Sequence, residues 1–235
     1  MAKARSNPAP RARARLERGA IIDAAIQLAA RGEQVTFRAL GRELGSDPTA
    51  VYRHFRDKDE LLRAIIDQHH VEVLGRLDRS GSWREQLTEL ARQTLQMAME
   101  HPAIGVELRR LTTGGPGELA MVETLLTLLS SAGLGREDAV RFYAVLSNHA
   151  LTGASAQAMS RLQLGGIPEA EAVQWFELHA VDMERYPAVA ASLENIASLR
   201  DTEIYLIGVE VILDAAQAAA TRQPGGAPED HASDG

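Results

Sequence analysis

Cysteine is absent from the 235 residues, which excludes a disulfide framework and a thiolate zinc site. Aromatic residues make up only 4% of the chain, which argues against a cage of stacked rings around a flat cationic ligand. No apolar run reaches the roughly 18 residues that a membrane-spanning helix requires. The N-terminus is basic but lacks the apolar h-region of a secretory signal, so a cytoplasmic protein is expected. Sequence patterns for a zinc protease, a phosphate-binding loop or a serine nucleophile elbow are also missing. Gly153-Ala154-Ser155-Ala156-Gln157 comes nearest to the last, but it falls inside a predicted helix rather than at a strand-to-helix turn. His69 and His70 are adjacent and point about 100° apart on a helix, so they cannot chelate together. No metal, cofactor or enzymatic activity is therefore expected.

Lysine is nearly absent as well. Of 25 basic residues, only Lys3 and Lys58 are lysines. The net charge of −7 conceals a division along the chain. Residues 1–70 hold 13 Lys+Arg against 9 Asp+Glu, a net +4; the remainder holds 12 against 23, a net −11. Polyanion binding needs a local positive surface rather than a positive total, so any nucleic-acid face lies N-terminal.

What is present is helical punctuation. Residues 1–12 are rich in Pro and Arg without periodicity and are expected to be a disordered basic arm. That arm is either a solvated tail or a strand that settles on phosphates or in a minor groove. A helix is predicted from Arg13 to Arg31, with Leu16, Ile21, Ala24 and Leu28 at helical spacing and Gly32 closing it. Thr36 then caps a second helix, with Val35 and Leu40 spaced for a hydrophobic staple. Gly45 turns the chain. Asp47-Pro48 restarts it as N-cap and N1 of a short helix reaching about Phe55. Asp57 and Glu60 are spaced for a capping box on the next helix, which is too long for a compact three-helix unit. Two short helices joined at a Gly-centred turn, flanked by a helix on each side, form a helix-turn-helix.

From Ser80 onward, further helices are predicted over residues 83–101, 104–111, 118–132, 138–162, 169–185, 187–197 and 201–222. No segment alternates strictly enough for a strand. The expected fold is all-α: a helix-turn-helix DNA-binding domain over residues 13–66, then a larger helical effector-binding and dimerisation domain over 67–222. The polar tail 223–235 is expected to be disordered.

A DNA reader needs short or forked polar side chains on its exposed helix face, and donors near helix starts for phosphates. Thr49, Tyr52, Arg53 and His54 meet the first demand or the backbone contacts beside it; Thr36, Arg38 and Lys58 meet the second. The stretch LGRELGSDPTAVYRHFRDKDELL resembles the signature of the TetR family of bacterial transcriptional repressors. The likeness runs from Ala24, Ala25 and Leu28 through Thr36, Leu40, Leu44-Gly45, Val51-Tyr52 and His54-Phe55 to Lys58, Leu61 and Leu62. It covers about 50 of the 235 residues. The resemblance implies that Tyr52 and Lys58 grip phosphates, and that Arg38, Pro48, Thr49, Ala50, Arg53 and His54 lie on or near base edges. A lysine retained at position 58 of so arginine-biased a chain agrees with a compact point charge at a phosphate. Pro48, Thr49 and Ala50 offer few bidentate bonds, so base specificity falls to Arg38, Arg53 and methyl contacts with thymine.

The closing helix is also similar to the family's regulatory domain, where a Gly-x-Glu-x-x-Leu-Asp run is common; here it is Gly208, Glu210, Leu213 and Asp214. The resemblance implies that this helix and the one at 138–162 pair with their twins in a four-helix bundle. Tyr205, Val209, Ile212, Leu213 and Ala216 form an apolar stripe, and Leu146, Ala150, Gly153 and Ala154 supply mostly small residues facing it. Burial in the protomer's own core is the alternative. Arg109, Asn148, His149, Gln157, Trp175 and His179, with Trp83, Met97, Phe142 and Met159 as apolar walls, are candidates for a ligand cavity. Each of the polar ones is otherwise a group bonded within the core. The expected function is a homodimeric regulator, foremost a repressor, that holds a near-palindromic double-stranded DNA operator and is released by a small-molecule effector. The competing reading is a helical small-molecule-binding or enzymatic protein with a vestigial helix-turn-helix.

Overall fold

The structure is a computed structural model that describes residues 16–163 and 185–222. The expected arm and tail, and the helix expected over 169–185 save for Arg185, lie outside the described residues. Ten helices are described, with no strand among the described residues. They are α1 (Arg18–Ala30), α2 (Phe37–Glu43), α3 (Pro48–Tyr52), α4 (Lys58–Arg76), α5 (Trp83–Glu100), α6 (Pro102–Gly105), α7 (Pro116–Ser131), α8 (Arg136–Gln163), α9 (Pro187–Ser198) and α10 (Asp201–Arg222).

The local stop and start signals act as the sequence suggests. Thr36 accepts a bond from the Ala39 N–H, Asp47 from Thr49 and Asp57 from Glu60, so three consecutive helices begin on side-chain caps. Glu60 departs from a reciprocal capping box: its carboxylate takes the N–H of Arg56, one residue before the cap, at 2.9 Å. The reciprocal box instead forms at α5, between Ser82 and Glu85.

α4 bridges the two halves of the molecule. Its first turns bury Leu61, Leu62, Ile65 and Ile66 against α1 and the helix-turn-helix, and its last turns bury Val73 and Leu74. It packs on α1 at one end and on α7 at the other. The C-terminal part is a bundle in which α8 touches α5, α6, α7 and α10. Tyr205 of α10 crosses the interior of that bundle, and its hydroxyl donates to the Ala91 carbonyl at 2.8 Å. Burial raises the pKa of that hydroxyl, which keeps it a donor.

Between α4 and the α5–α6 corner lie three partly buried imidazoles. His69 Nε2, His70 Nδ1 and His101 Nδ1 are buried without a protein hydrogen-bond partner among the described residues. Burial, with His70 beside it, lowers the pKa of His69 to about 4, against Glu72, which raises it, and Arg76 and His101, which lower it further. A histidine depressed in this way stays neutral in the fold while the unfolded chain takes up a proton. Stability therefore falls as the pH drops through the unfolded value near 6.5 toward the folded one. Urea unfolding should lose about 1–2 kcal/mol between pH 6.5 and 5, above the range where most carboxylates titrate. His69→Gln should lose clearly less over the same interval; an unchanged loss would remove His69 as the cause.

Candidate nucleic-acid interface and interior cavity

The reader is built by close approach of α2 and α3. Gly45 turns the chain with a φ of 58°, a conformation that favours glycine. Gly41 matters for a different reason: a Cβ there would meet the Ser46 carbonyl oxygen at 2.9 Å and the Pro48 nitrogen at 3.1 Å. The Ser46 N–H bonds the Gly41 carbonyl at 2.8 Å, closing the turn. The helix proper stops at Tyr52, with Arg53 as its C-cap, and is shorter than the sequence suggests. Val51 and Phe55 are fully buried.

That burial fixes which side chains protrude. Thr36, Arg38, Thr49, Tyr52, Arg53 and Lys58 are exposed, while Pro48, Ala50 and His54 are half-buried. Tyr52 is 60% exposed, yet its ring stands edge-on to buried Phe37 at 4.6 Å. The tyrosine is thus aimed outward from a fixed base. Thr49 has its hydroxyl on the Asp47 carboxylate at 2.7 Å, so it presents its methyl more freely than its oxygen. Arg18 of α1 was not foreseen. Its guanidinium donates to the His54 carbonyl at 2.9 Å, lies 4.1 Å from the Phe55 ring centre and pairs with Glu60 at 3.5 Å. It ties α1, the end of the reader and α4 together.

The C-terminal bundle holds a partly open cavity of about 100 Å³ among α4, α5, the α6–α7 connection, α7 and α8. Ile66 and His70 of α4, Leu90 and Thr94 of α5, Glu118 and Met121 of α7, and Tyr143 and Ser147 of α8 are among its walls. Asp67 of α4 stands directly beneath the first turn of α7. Its Oδ1 accepts from the Glu118 N–H at 2.9 Å and from the Thr113 hydroxyl at 2.9 Å. Burial alone would raise the Asp67 pKa, but the N–H groups of Glu118 and Gly117 and the Thr113 hydroxyl prevail and hold it below the ordinary carboxylate value. Gly115 and Gly117 have no room for a Cβ against Asp67. Nearer the reader, Arg110 makes two bonds of 2.8 Å to Asp59, the residue after Lys58.

Residues 21–65 match the family model for bacterial regulatory proteins of the tetR family, and residues 77–219 match the tetracyclin repressor-like C-terminal domain. The chain belongs to the TetR family. An HTH-type transcriptional regulator of Saccharopolyspora erythraea is 28% identical over 145 residues, 61% of either chain. The match thus spans under two thirds of that relative's length. The HTH-type transcriptional repressor DrrR1 of Streptomyces coeruleorubidus is 27% identical over 214 residues, 87% of this chain and 78% of its own. Among solved structures, a putative transcriptional regulator from Streptomyces coelicolor A3(2) superposes with a TM-score of 0.73 at 26% identity, covering 87% of this chain and 98% of that one.

Within this TetR-family fold, the two sets expected in the C-terminal domain need correction. Leu146, Ala150 and Ala154 of α8, and Tyr205, Val209, Leu213 and Ala216 of α10, are all buried inside the protomer. α8 and α10 pack on each other along this stretch, and these buried side chains present no face to a second chain. Gly153 admits the Tyr205 ring, since a Cβ there would lie 2.8 Å from it. Ile212 is half-buried against the same core. The Gly-x-Glu-x-x-Leu-Asp run is likewise occupied within the protomer. Gly208 covers the His149 ring, and Glu210 and Asp214 each pair with Arg84 at 2.6 Å.

None of the described ligand candidates lines the cavity. His149 donates from Nε2 to the Tyr205 carbonyl at 2.9 Å and stacks on that ring. Met97 is buried, Trp83 and Phe142 pack half-buried on the core, and Arg109, Asn148 and Met159 are exposed. Trp175 and His179 lie outside the described residues. Two residues expected in the four-helix bundle, Leu146 and Ala150, line the cavity. Ile66 and His70, four apart on α4, carried a signal in sequence, as did Leu87, Leu90, Ala91 and Thr94 on α5.

Gly41→Ala forces α2 and α3 apart at their crossing. It should cost about 1–3 kcal/mol in thermal or urea unfolding, with a larger loss of DNA affinity than of helix content. Unchanged stability and affinity would show that the crossing has slack.

Proposed function

We propose that the protein is a homodimeric, cytoplasmic transcriptional repressor. Two copies of the Pro48–Tyr52 helix would enter successive major grooves of a near-palindromic operator. The observation that carries this reading is the outward set of Thr36, Arg38, Thr49, Tyr52, Arg53 and Lys58 on a capped, buried-backed helix-turn-helix. Tyr52 and Lys58 hold phosphates, and Arg38 and Arg53 reach base edges beside Pro48, Thr49, Ala50 and His54. A domain division near residue 66 fits this reading, with α4 continuing through it as a rod.

The dimer face lies opposite to the buried stripe. Val145, Met159 and Leu162 of α8 and Ile207 and Val211 of α10 are exposed, Val211 at 61%. α10 is apolar enough in its best 18-residue window to resemble a membrane span, with mean hydropathy 1.4, yet only 22% of that window is buried in the protomer. Side-by-side packing of α8 and α10 on their twins covers this surface.

The effector occupies the cavity and acts through α4. One face of α4 lines the cavity with Ile66 and His70, and its start carries Lys58. The Asp67 bonds to α7 and the Arg110 pair to Asp59 transmit displacement of α7 or its preceding loop to the reader. Release follows only where the effector binds the displaced arrangement more tightly.

In gel-shift titrations with the DNA upstream of its own gene, Tyr52→Ala with Lys58→Ala should abolish the shift and leave the melting temperature nearly unchanged. Specific binding by the double variant would overturn the site assignment. Wild-type affinity should fall about 10³-fold or more between roughly 50 and 200 mM salt. Val211→Glu should convert the dimer to monomer in sedimentation. A dimer that persists would place the interface elsewhere.

A further inference from the structure

The chemistry of the cavity narrows what can fill it, provided that it is the effector site proposed above. Its described lining contains no lysine or arginine. Its one carboxylate and its one imidazole, Glu118 of α7 and His70 of α4, stand with Thr113 of the connection, while Thr94 of α5 and Tyr143 and Ser147 of α8 add only hydroxyls. Leucine, methionine and other apolar side chains make up most of the remaining wall, from Leu87 and Leu90 through Met121 and Leu125.

The N-terminus of α7 opens at the polar end, and a helix start ordinarily recruits an anion. Here the anion is already built in. Asp67 accepts the Glu118 N–H, the Gly114 N–H goes to the Glu118 carboxylate at 2.6 Å, and the Gly115 N–H goes to the Thr113 hydroxyl at 3.1 Å. The donors that would hold a ligand carboxylate are used, and two carboxylates stand in their place. Both act on His70, whose charged form they favour, while burial acts more strongly and keeps the ring neutral. Its Nδ1 is buried and has no protein partner among the described residues. A neutral imidazole in its Nε2–H tautomer offers Nδ1 as an acceptor.

We infer that this cavity selects hydrophobic amines, with the ammonium group donating to the Glu118 carboxylate and to His70 Nδ1 while the apolar body lies against α5, α7 and α8. A carboxylate-bearing ligand of the same shape meets Glu118 with no cation to offset it, and a neutral alcohol gains the hydrogen bonds without the charge. The scarcity of aromatic residues does not count against this, because recognition rests on a carboxylate rather than on stacked rings.

The test is calorimetric titration of the full-length protein with three probes of one shape: 1-naphthylmethylamine, 1-naphthalenemethanol and 1-naphthoic acid. The amine should bind about tenfold or more tightly than the alcohol, and the acid more weakly than either. Glu118→Gln keeps an acceptor for the Gly114 N–H and should bring the amine within about threefold of the alcohol, leaving alcohol affinity little changed. Binding of the acid as tight as that of the amine, an amine preference that survives Glu118→Gln, or no binding of the amine at all would each overturn the assignment. Ser147→Phe separates this from the cavity reading. It fills the space from α8 and should abolish binding of amine and alcohol alike. Amine binding retained in Ser147→Phe means that the amine binds elsewhere, and it would overturn both.

Discussion

A carboxylate from one helix serving as the cap of another holds this molecule in one arrangement. Asp67 stands midway along α4 and receives the first N–H groups of α7, which has no side-chain cap of its own. The contact is close enough that Gly115 and Gly117 admit no Cβ opposite it. A helix start without a cap leaves its first N–H groups unpaired, and a half-buried carboxylate loses charge-assisted bonds when its donors leave. Each solves the other's problem, so α4 and α7 cannot separate at this point without exposing both defects. Because α4 is a single rod of 19 residues, roughly 28 Å long, whatever fixes its middle also fixes where its first residue, Lys58, stands.

Local and distant constraints share that rod unequally. Its N-terminal half is gripped by Asp57, by Arg18 through Glu60, and by Arg110 through Asp59. The ion pairs are largely solvent-exposed and individually weak. The firm hold on this half comes from the buried Leu61, Leu62, Ile65 and Ile66, whose apolar contacts are non-directional. Such contacts keep the helix-turn-helix rigid as a unit and allow the unit to pivot. Tyr52 on Phe37 and Arg18 on Phe55 then carry the exposed side chains with it rather than letting them adjust one by one.

The sequence was most informative where the physics is local. Thr36, Asp47 and Asp57 cap helices because the bond spans two or three residues, and Gly45 turns because its φ is a single-residue property. The stripe on α10 shows the limit. Its spacing correctly marked Tyr205, Val209, Leu213 and Ala216 as buried, but period alone does not say whether the covering surface belongs to the same chain or to another. The cavity was least legible, since its walls come from four helices and a connection that meet only in three dimensions. Glu118 and Asp67, 51 positions apart, carry no joint signal. Gly41 looked like any helical glycine until Ser46 and Pro48 were placed against it.

The size of the cavity supplies the remaining link between binding and release. Sites for drug-sized molecules occupy roughly 300–1,000 Å³, whereas the space bounded here is about 100 Å³. Protein interiors do not stretch continuously, so a larger guest either extends through the open side or makes the walls take up another packing. Those walls include α4 and α7, joined at Asp67. A guest that inserts between them at the His70–Glu118 end therefore has a different affinity for the two packings by geometry alone, which is the condition for shifting an equilibrium. If α7 moves with Asp67 still attached, α4 turns and the readers change separation. If the bond to α7 breaks first, the half-buried Asp67 and the first N–H groups of α7 lose one another as partners, and the displaced state becomes costly. Within the proposed mechanism, the lower-energy route keeps the cap and moves the rod, so the strength of the Asp67 contact sets how faithfully occupancy of the cavity is passed to Lys58.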